Sequence, residues 1–102
     1  LLMVSIGYDA HWSDPLAWMQ LSLDGYRYMV DDLLRLADDL CGGRSVFVLE
    51  GGYHLPVVAH GVALTFAAML REPYPDPFGR APEEEQDVTP LLDPMAEWYA
   101  LS

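Results

Sequence analysis

The 102-residue chain carries five basic residues, all arginine, against sixteen acids, for a formal net charge of −11, and 52% of its residues are hydrophobic. That length holds one small domain with a modest core, and the acid excess argues against nucleic-acid binding while favouring cationic partners such as lysine-rich tails or polyamines, where it does more than keep the protein soluble. Cys41 is the single cysteine, which excludes a disulfide framework and a CxxC metal knuckle within these residues and suits a reducing interior, the cytoplasm; the uncharged stretches are too short to span a membrane and none has the basic flank of a signal peptide.

The chain opens on Leu1-Leu2-Met3-Val4-Ser5 with no initiator Met and no polar lead-in, so it reads as the C-terminal part of a larger α/β domain. Residues 1 to 8 are apolar on both faces, which predicts a strand buried on two sides and paired in parallel. Asp14-Pro15 has the form of an N-cap followed by the first helical position, giving a short turn of helix over a ligand pocket. A second start signal stands at Ser22, with Asp24 in the first turn. From Leu23 to Cys41 apolar residues recur at three- and four-residue steps, with Asp31 and Arg35 spaced to pair across one turn. Gly42-Gly43 ends that helix, and Ser45 to Glu50, with Val-Phe-Val-Leu at its centre, is the next strand. An Ala-rich helix follows Pro56, from about Val57 to Arg71, with Gly61 allowing close packing.

Strand, helix, strand, helix is a βαβα unit with a right-handed crossover. The composition changes beyond residue 71: six of the eight prolines and eight of the sixteen acids lie in residues 72 to 102. The stretch 72–90 reads as an extended surface tail. Leu91 to Leu101 reads as a short helix docking Leu92, Met95, Trp98 and Tyr99 on the body, with Pro94 tolerable only near its start.

Ligands of open parallel sheets bind outside the carboxyl ends of the strands. Asp9 stands at the end of the first strand, with Gly7 letting the backbone come close to a ligand, and Tyr53 stands just after the second, behind Gly51-Gly52. A carboxylate there can ligate a metal, with His11 two residues on, or can simply make a turn. A phenol is a hydrogen-bond donor suited to an oxyanion rather than a base, or an aromatic lid on an ordinary turn. His54 and His60 read as surface or packing residues, Trp12 and Trp18 as a cation-binding rim or as packing, and Glu50 has no assigned role.

Ser5-Ile6-Gly7-Tyr8-Asp9-Ala10-His11, then Asp14-Pro15-Leu16, then Leu49-Glu50-Gly51-Gly52-Tyr53 resembles the C-terminal portion of the zinc-dependent histone deacetylase family, which includes acetylpolyamine amidohydrolases and acetoin-utilisation proteins. The resemblance covers residues 1 to about 71 and stops short of the tail. It implies an α/β domain, part of a three-layer parallel-sheet architecture of arginase/deacetylase type. It also implies a zinc cofactor with Asp9 as one carboxylate ligand and Tyr53 holding the oxyanion. Leu16 would line the channel for an acyl-lysine stem, Gly51 and Gly52 would wall the acetyl group, and His11 and Trp12 would sit at the rim or behind the site. The paired catalytic histidines and the family's Asp-x-His ligands would come from upstream sequence; Asp9-Ala10-His11 is not that motif, because Trp12-Ser13-Asp14-Pro15 follows where the family has a second His and a Gly-rich run. The chain alone would be inactive.

The resulting expectation is a hydrolase that removes an acetyl or short acyl group from a lysine-like amine on a protein, a polyamine or a small molecule, with an oligomer left open. A catalytically dead binding domain and a manganese ureohydrolase of arginase type are the alternatives; the latter calls for an Asp-x-Asp pair where Asp9-Ala10-His11 stands.

Overall fold

The computed structural model describes residues 1–101. Its elements run β1 (Leu2–Gly7), α1 (Leu23–Cys41), β2 (Ser45–Gly51), α2 (Leu55–Met69) and α3 (Thr89–Trp98). β1 and β2 pair in parallel, in register from Leu2 opposite Ser45 to Ile6 opposite Leu49. Gly7 then pairs with Gly51, so Glu50 is an extra residue that bends the end of β2.

The helices form where the sequence places caps and stripes. Ser22 Oγ accepts from the Gly25 amide at 3.1 Å, satisfying an orphan donor of the first turn of α1, and Gly42 ends the helix in the left-handed conformation at φ 59°. Leu23, Tyr26, Val30 and Ala37 are the buried stripe of α1; Val57, Gly61, Leu64, Thr65 and Ala68 are that of α2. α2 begins two residues before the predicted Val57, with Pro56 in its first turn, where no amide is needed. Tyr8, Leu23, Tyr26, Val57 and Leu64 make the core cluster between the loop after β1 and the two helices. The predicted Asp31–Arg35 pair does not form: Arg27 Nε donates to both oxygens of Asp31 at 3.0 Å, and Arg35 pairs with Asp32. Asp31 sits within one turn of both arginines, and its carboxylate is taken by Arg27.

Two features differ from expectation among the described residues. Only one face of the sheet is covered within them: Ile6 and Phe47, with the more exposed Leu49, line an apolar groove of about 190 Å³ with Val62, Phe66 and Met69 of α2, whereas Met3, Val46 and Val48 on the other face are exposed, Met3 at 70%. Among the described residues both helices lie on one face, so the pleat alternates between covered and open positions. The C-terminal helix forms but does not dock. Leu92, Met95, Trp98 and Tyr99 are all exposed, Trp98 at 79%, and no side chain of α3 is buried. The hydrogen bonds that fasten the tail to the body end at Gly79, and Pro94 lies inside the helix and withholds one of its amides.

Residues 74–79 are a strap on the body rather than a free tail. Tyr74 Oη bonds His60 Nδ1 at 2.7 Å, Trp12 Nε1–H donates to the Gly79 carbonyl at 3.0 Å, and Phe78 lies edge-on to His11 and His60, with ring centroids 5.4 and 5.6 Å away. The Asp76 carboxylate caps locally, accepting the Phe78 and Gly79 amides at 2.8 and 3.0 Å and the Asp24 amide at the start of α1 at 3.3 Å.

Candidate active site

The βα junctions after β1 and β2 meet at the carboxyl end of the sheet. Asp9 lies across both strand ends: a Cβ added to Gly7 would stand 2.7 Å from Asp9 Oδ1, and one added to Gly51 would stand 3.3 Å from the same oxygen. Glycine at both positions makes room for the carboxylate.

Buried aromatic groups fix the turn that presents Asp9. Tyr26 Oη donates to the Gly7 carbonyl at 2.8 Å and accepts the Ala10 amide at 3.1 Å, bracketing residues 7 to 10 from α1. Burial pushes the Tyr26 phenol up to about 12, so it remains a donor. Tyr8 turns the other way and is fully buried, its hydroxyl 2.6 Å from Thr65 Oγ1. Because the Thr65 hydroxyl spends its one proton on the Gly61 carbonyl at 2.9 Å, Tyr8 is the donor of that pair. Gly61 is where α2 meets the Tyr8 ring; a Cβ there would come 2.4 Å from Tyr8 Cδ1.

Tyr53 follows Gly51 and Gly52 with its side chain 55% exposed. Gly52 has φ 130°, outside the range of L side chains, and a Cβ on it would meet Val58 Cγ2 at 2.6 Å. The Tyr53 amide donates to Asp14 Oδ2 at 2.9 Å, and the Leu16 amide donates to Asp14 Oδ1 at 2.9 Å. Asp14 is therefore not the cap of a short helix: residues 15–17 form a turn, and the carboxylate, 7% exposed, bridges the two junctions. Burial raises its proton affinity, but the amides of Leu16, Tyr53, His54 and Ala17 outweigh that and hold the carboxyl below its usual range.

Of the other predicted residues, His11 is wholly buried and not at a rim, its ring between Trp12 and Phe78. Its Nδ1 accepts the Ser13 amide at 3.2 Å and lies 2.9 Å from Ser13 Oγ, which in turn lies 2.8 Å from His54 Nδ1. The Nε2 atom of His11 is buried with no partner among the described residues, and desolvation holds the imidazole below its usual pKa. Trp12 is half-buried on the strap, Trp18 is 87% exposed with φ 57°, and Leu16 is 60% exposed beside Asp14. His54 and His60 are packing residues, each held by one hydrogen bond. The described residues contain no group of three His, Cys, Asp or Glu that could hold a metal. Asp9 fits as one oxygen donor, and the rest of a donor set would have to come from elsewhere.

The sequence model of the histone deacetylase domain matches residues 1–69, from β1 to the end of α2. This chain belongs to that family. Histone deacetylase 14, chloroplastic, of Arabidopsis thaliana is 49% identical over 71% of the chain and 17% of its own length. Histone deacetylase 10, chloroplastic, of rice is 37% identical over 99% of the chain and 24% of its own length. The human polyamine deacetylase HDAC10 is 39% identical over 74% of the chain and 11% of its own length. The crystal structure of the HDA15 HD domain superposes with a TM-score of 0.58 at 31% identity, covering 72% of this chain and 20% of that one. The chain thus spans about a quarter or less of the deacetylases it matches. The fold is the α/β deacetylase fold in part, and the family is one of deacetylase-type hydrolases. The similarity also reaches further than expected: the rice alignment runs through the tail, where the strap lies.

Proposed function

We propose that, in the full-length protein, this segment contributes the metal-ligating carboxylate and the oxyanion-holding phenol of a zinc-dependent deacetylase acting on a lysine-like amine. The observation that carries the reading is the Asp9 carboxylate lying across Gly7 and Gly51 at the ends of both strands, with the Tyr53 turn beginning at the same Gly51. Bound zinc would polarise an amide carbonyl and acidify a water. Asp9 would supply one of its oxygen ligands, the rest of the donor set and the general acid and base coming from sequence outside these residues. Tyr53 would donate its hydroxyl to the carbonyl oxygen as charge develops there. Gly51 and Gly52 would leave space for the acyl group, Leu16 would flank the amine stem, and these residues alone would not turn over.

The acidic surface, −11 in net charge, favours a cationic substrate such as an acetyl-lysine tail or an acetylpolyamine. A ureohydrolase is disfavoured by the family match and by Asp9-Ala10-His11 in place of an Asp-x-Asp pair. Among the described residues no helix is long and apolar enough to cross a membrane. A cytoplasmic setting rests on the lone Cys41, and two of the plant relatives are named chloroplastic.

The test uses the full-length protein, with zinc content and turnover of an acetyl-lysine peptide and an acetylpolyamine as readouts. Tyr53→Phe is expected to keep its zinc and lose roughly 100- to 1,000-fold in kcat, the usual cost of one oxyanion donor. Asp9→Ala is expected to lose the metal. Parental turnover in both variants would reject the reading.

A further inference from the structure

Asp14 joins the two junctions that carry the candidate chemistry. It lies on the loop that leaves β1 with Asp9, and its Oδ2 accepts the amide of Tyr53, 39 residues further along the chain. Its Oδ1 is taken by the Leu16 amide within its own loop, so neither oxygen is free to rotate away. The Tyr53 turn needs an outside anchor. Gly52, at φ 130°, has the broadest backbone freedom of any residue type, so β2 alone does not fix where the next residue points. A second tie lies one residue either side of the first: Ser13 Oγ bonds His54 Nδ1 at 2.8 Å. Adjacent residues of one loop thus hold adjacent residues of the other.

We propose that Asp14 is the positioning residue for Tyr53: its buried carboxylate, seated on the Asp9 loop, holds the Tyr53 main chain so that the phenol and the Asp9 carboxylate keep one fixed separation, with Ser13–His54 as the supporting tie. This rests on the reading of Tyr53 as the oxyanion donor. A carboxylate suits the task because both of its oxygens accept, matching two amide donors. Asn in the same place would accept one amide and turn its own NH₂ toward the other. The phenol would then be misplaced by roughly an ångström or less, while Asp9, whose turn is held by Tyr26 and not by Asp14, stayed where it is.

The experiment is a double-mutant cycle on the full-length zinc enzyme: parent, Asp14→Asn, Tyr53→Phe and the double variant, each with kcat, KM and zinc content. Asp14→Asn is expected to lower kcat roughly 10- to 100-fold, the scale set by small misplacements of a catalytic group, at unchanged zinc and with a smaller change in KM from the Leu16 amide that Asp14 also holds. In the Tyr53→Phe background the same substitution is expected to cost little more, because there is no longer a hydroxyl to position. A parental kcat in Asp14→Asn, or losses that multiply in the double variant, would overturn the proposal while Tyr53→Phe itself remained slow. Full activity in Tyr53→Phe would instead reject the oxyanion role on which it rests. Should Asp14→Asn not fold, Ser13→Ala takes its place in the cycle. A kcat loss that disappears without the phenol supports the clamp, and no loss or an independent loss overturns it.

Discussion

Replacing Tyr26 by Phe removes a single oxygen that serves two backbone groups of the turn holding Asp9. The hydroxyl accepts the Ala10 amide at 3.1 Å and donates to the Gly7 carbonyl at 2.8 Å, and the ring is 3% exposed. Phe fills the same space, so there is no cavity term, and the loss is electrostatic. An ordinary buried hydrogen bond contributes about 1 kcal/mol net, and a donor or acceptor left unpaired costs about 1–3 kcal/mol. Gly7 and Ala10 are only half-buried, so water can partly replace the hydroxyl, which places the total near 2 kcal/mol. At about 1.4 kcal/mol per factor of ten, that is a 20- to 40-fold rise in the exchange rate of the Ala10 amide, if it exchanges by local opening of the turn. Native-state hydrogen exchange on the full-length protein reads it directly. Zinc affinity is expected to weaken as well, because Asp9 lies between the two released groups. Unchanged protection of the Ala10 amide together with unchanged zinc affinity would refute the claim that α1 fixes the Asp9 turn through this one oxygen.

Gly61→Ala puts a methyl group 2.4 Å from a Tyr8 ring that is buried and pinned to Thr65, so overpacking of about 1–3 kcal/mol is expected to exceed the gain of about 1 kcal/mol in helix propensity; a thermal melt no lower than the parent's would contradict this. Phe78→Ala removes the ring that faces His11, His54 and His60 and is expected to cost about 1.5–2.5 kcal/mol, half the price of a fully buried Phe, with limited proteolysis then cutting first within residues 74–79; an unchanged cleavage pattern would show that the strap does not depend on that ring. The Asp14 carboxyl is held below its usual 3.8 in the folded protein, so its contribution to stability is complete above pH 3.8 and is lost as the pH falls through the depressed folded value. The stability advantage of the parent over Asp14→Asn should therefore narrow in acid, and an advantage that widens there would reverse the assignment.

Most of the fold was legible because its signals are local. Ser22 caps the helix that begins one residue later, Gly42 ends it, and the stripe from Leu23 to Ala37 is set by helical period alone. The meeting of the two βα junctions was legible one step further out, since parallel strands bring their carboxyl ends together whatever lies between them. What escaped was polar and long-range. Asp14 before Pro15 has the sequence of a helix cap, and the half of its carboxylate that reaches Tyr53 leaves no trace in spacing. Arg27 and Arg35 both stand four residues from Asp31, and the sequence does not choose between them. The strap was hidden by composition: prolines and acids around Tyr74 and Phe78 read as a solvated tail, although Pro73, Pro75 and Pro77 stiffen the segment that sets those two rings on His60 and His11.

The three histidines show how the two kinds of signal divide the work at this end of the sheet. A sequence reading weighs each histidine as a ligand or a spectator. In the folded chain all three face the strap: His60 through Tyr74, and His11, His54 and His60 all through Phe78. None of them lies in a group that could hold a metal among the described residues. Their imidazoles instead make the packing layer behind the loop 9–14, with Ser13 joining His11 to His54 across the two junctions. The carboxylate over the glycines is thus held by Tyr26 from one side, and the turn bearing Tyr53 is held by Asp14 and His54 from the other. If Asp9 ligates the metal and Tyr53 holds the oxyanion, as proposed, preorganised electrostatic stabilisation would require a fixed separation between them, and the hydrogen bonds of Tyr26, Asp14 and His54 are the contacts that would set it.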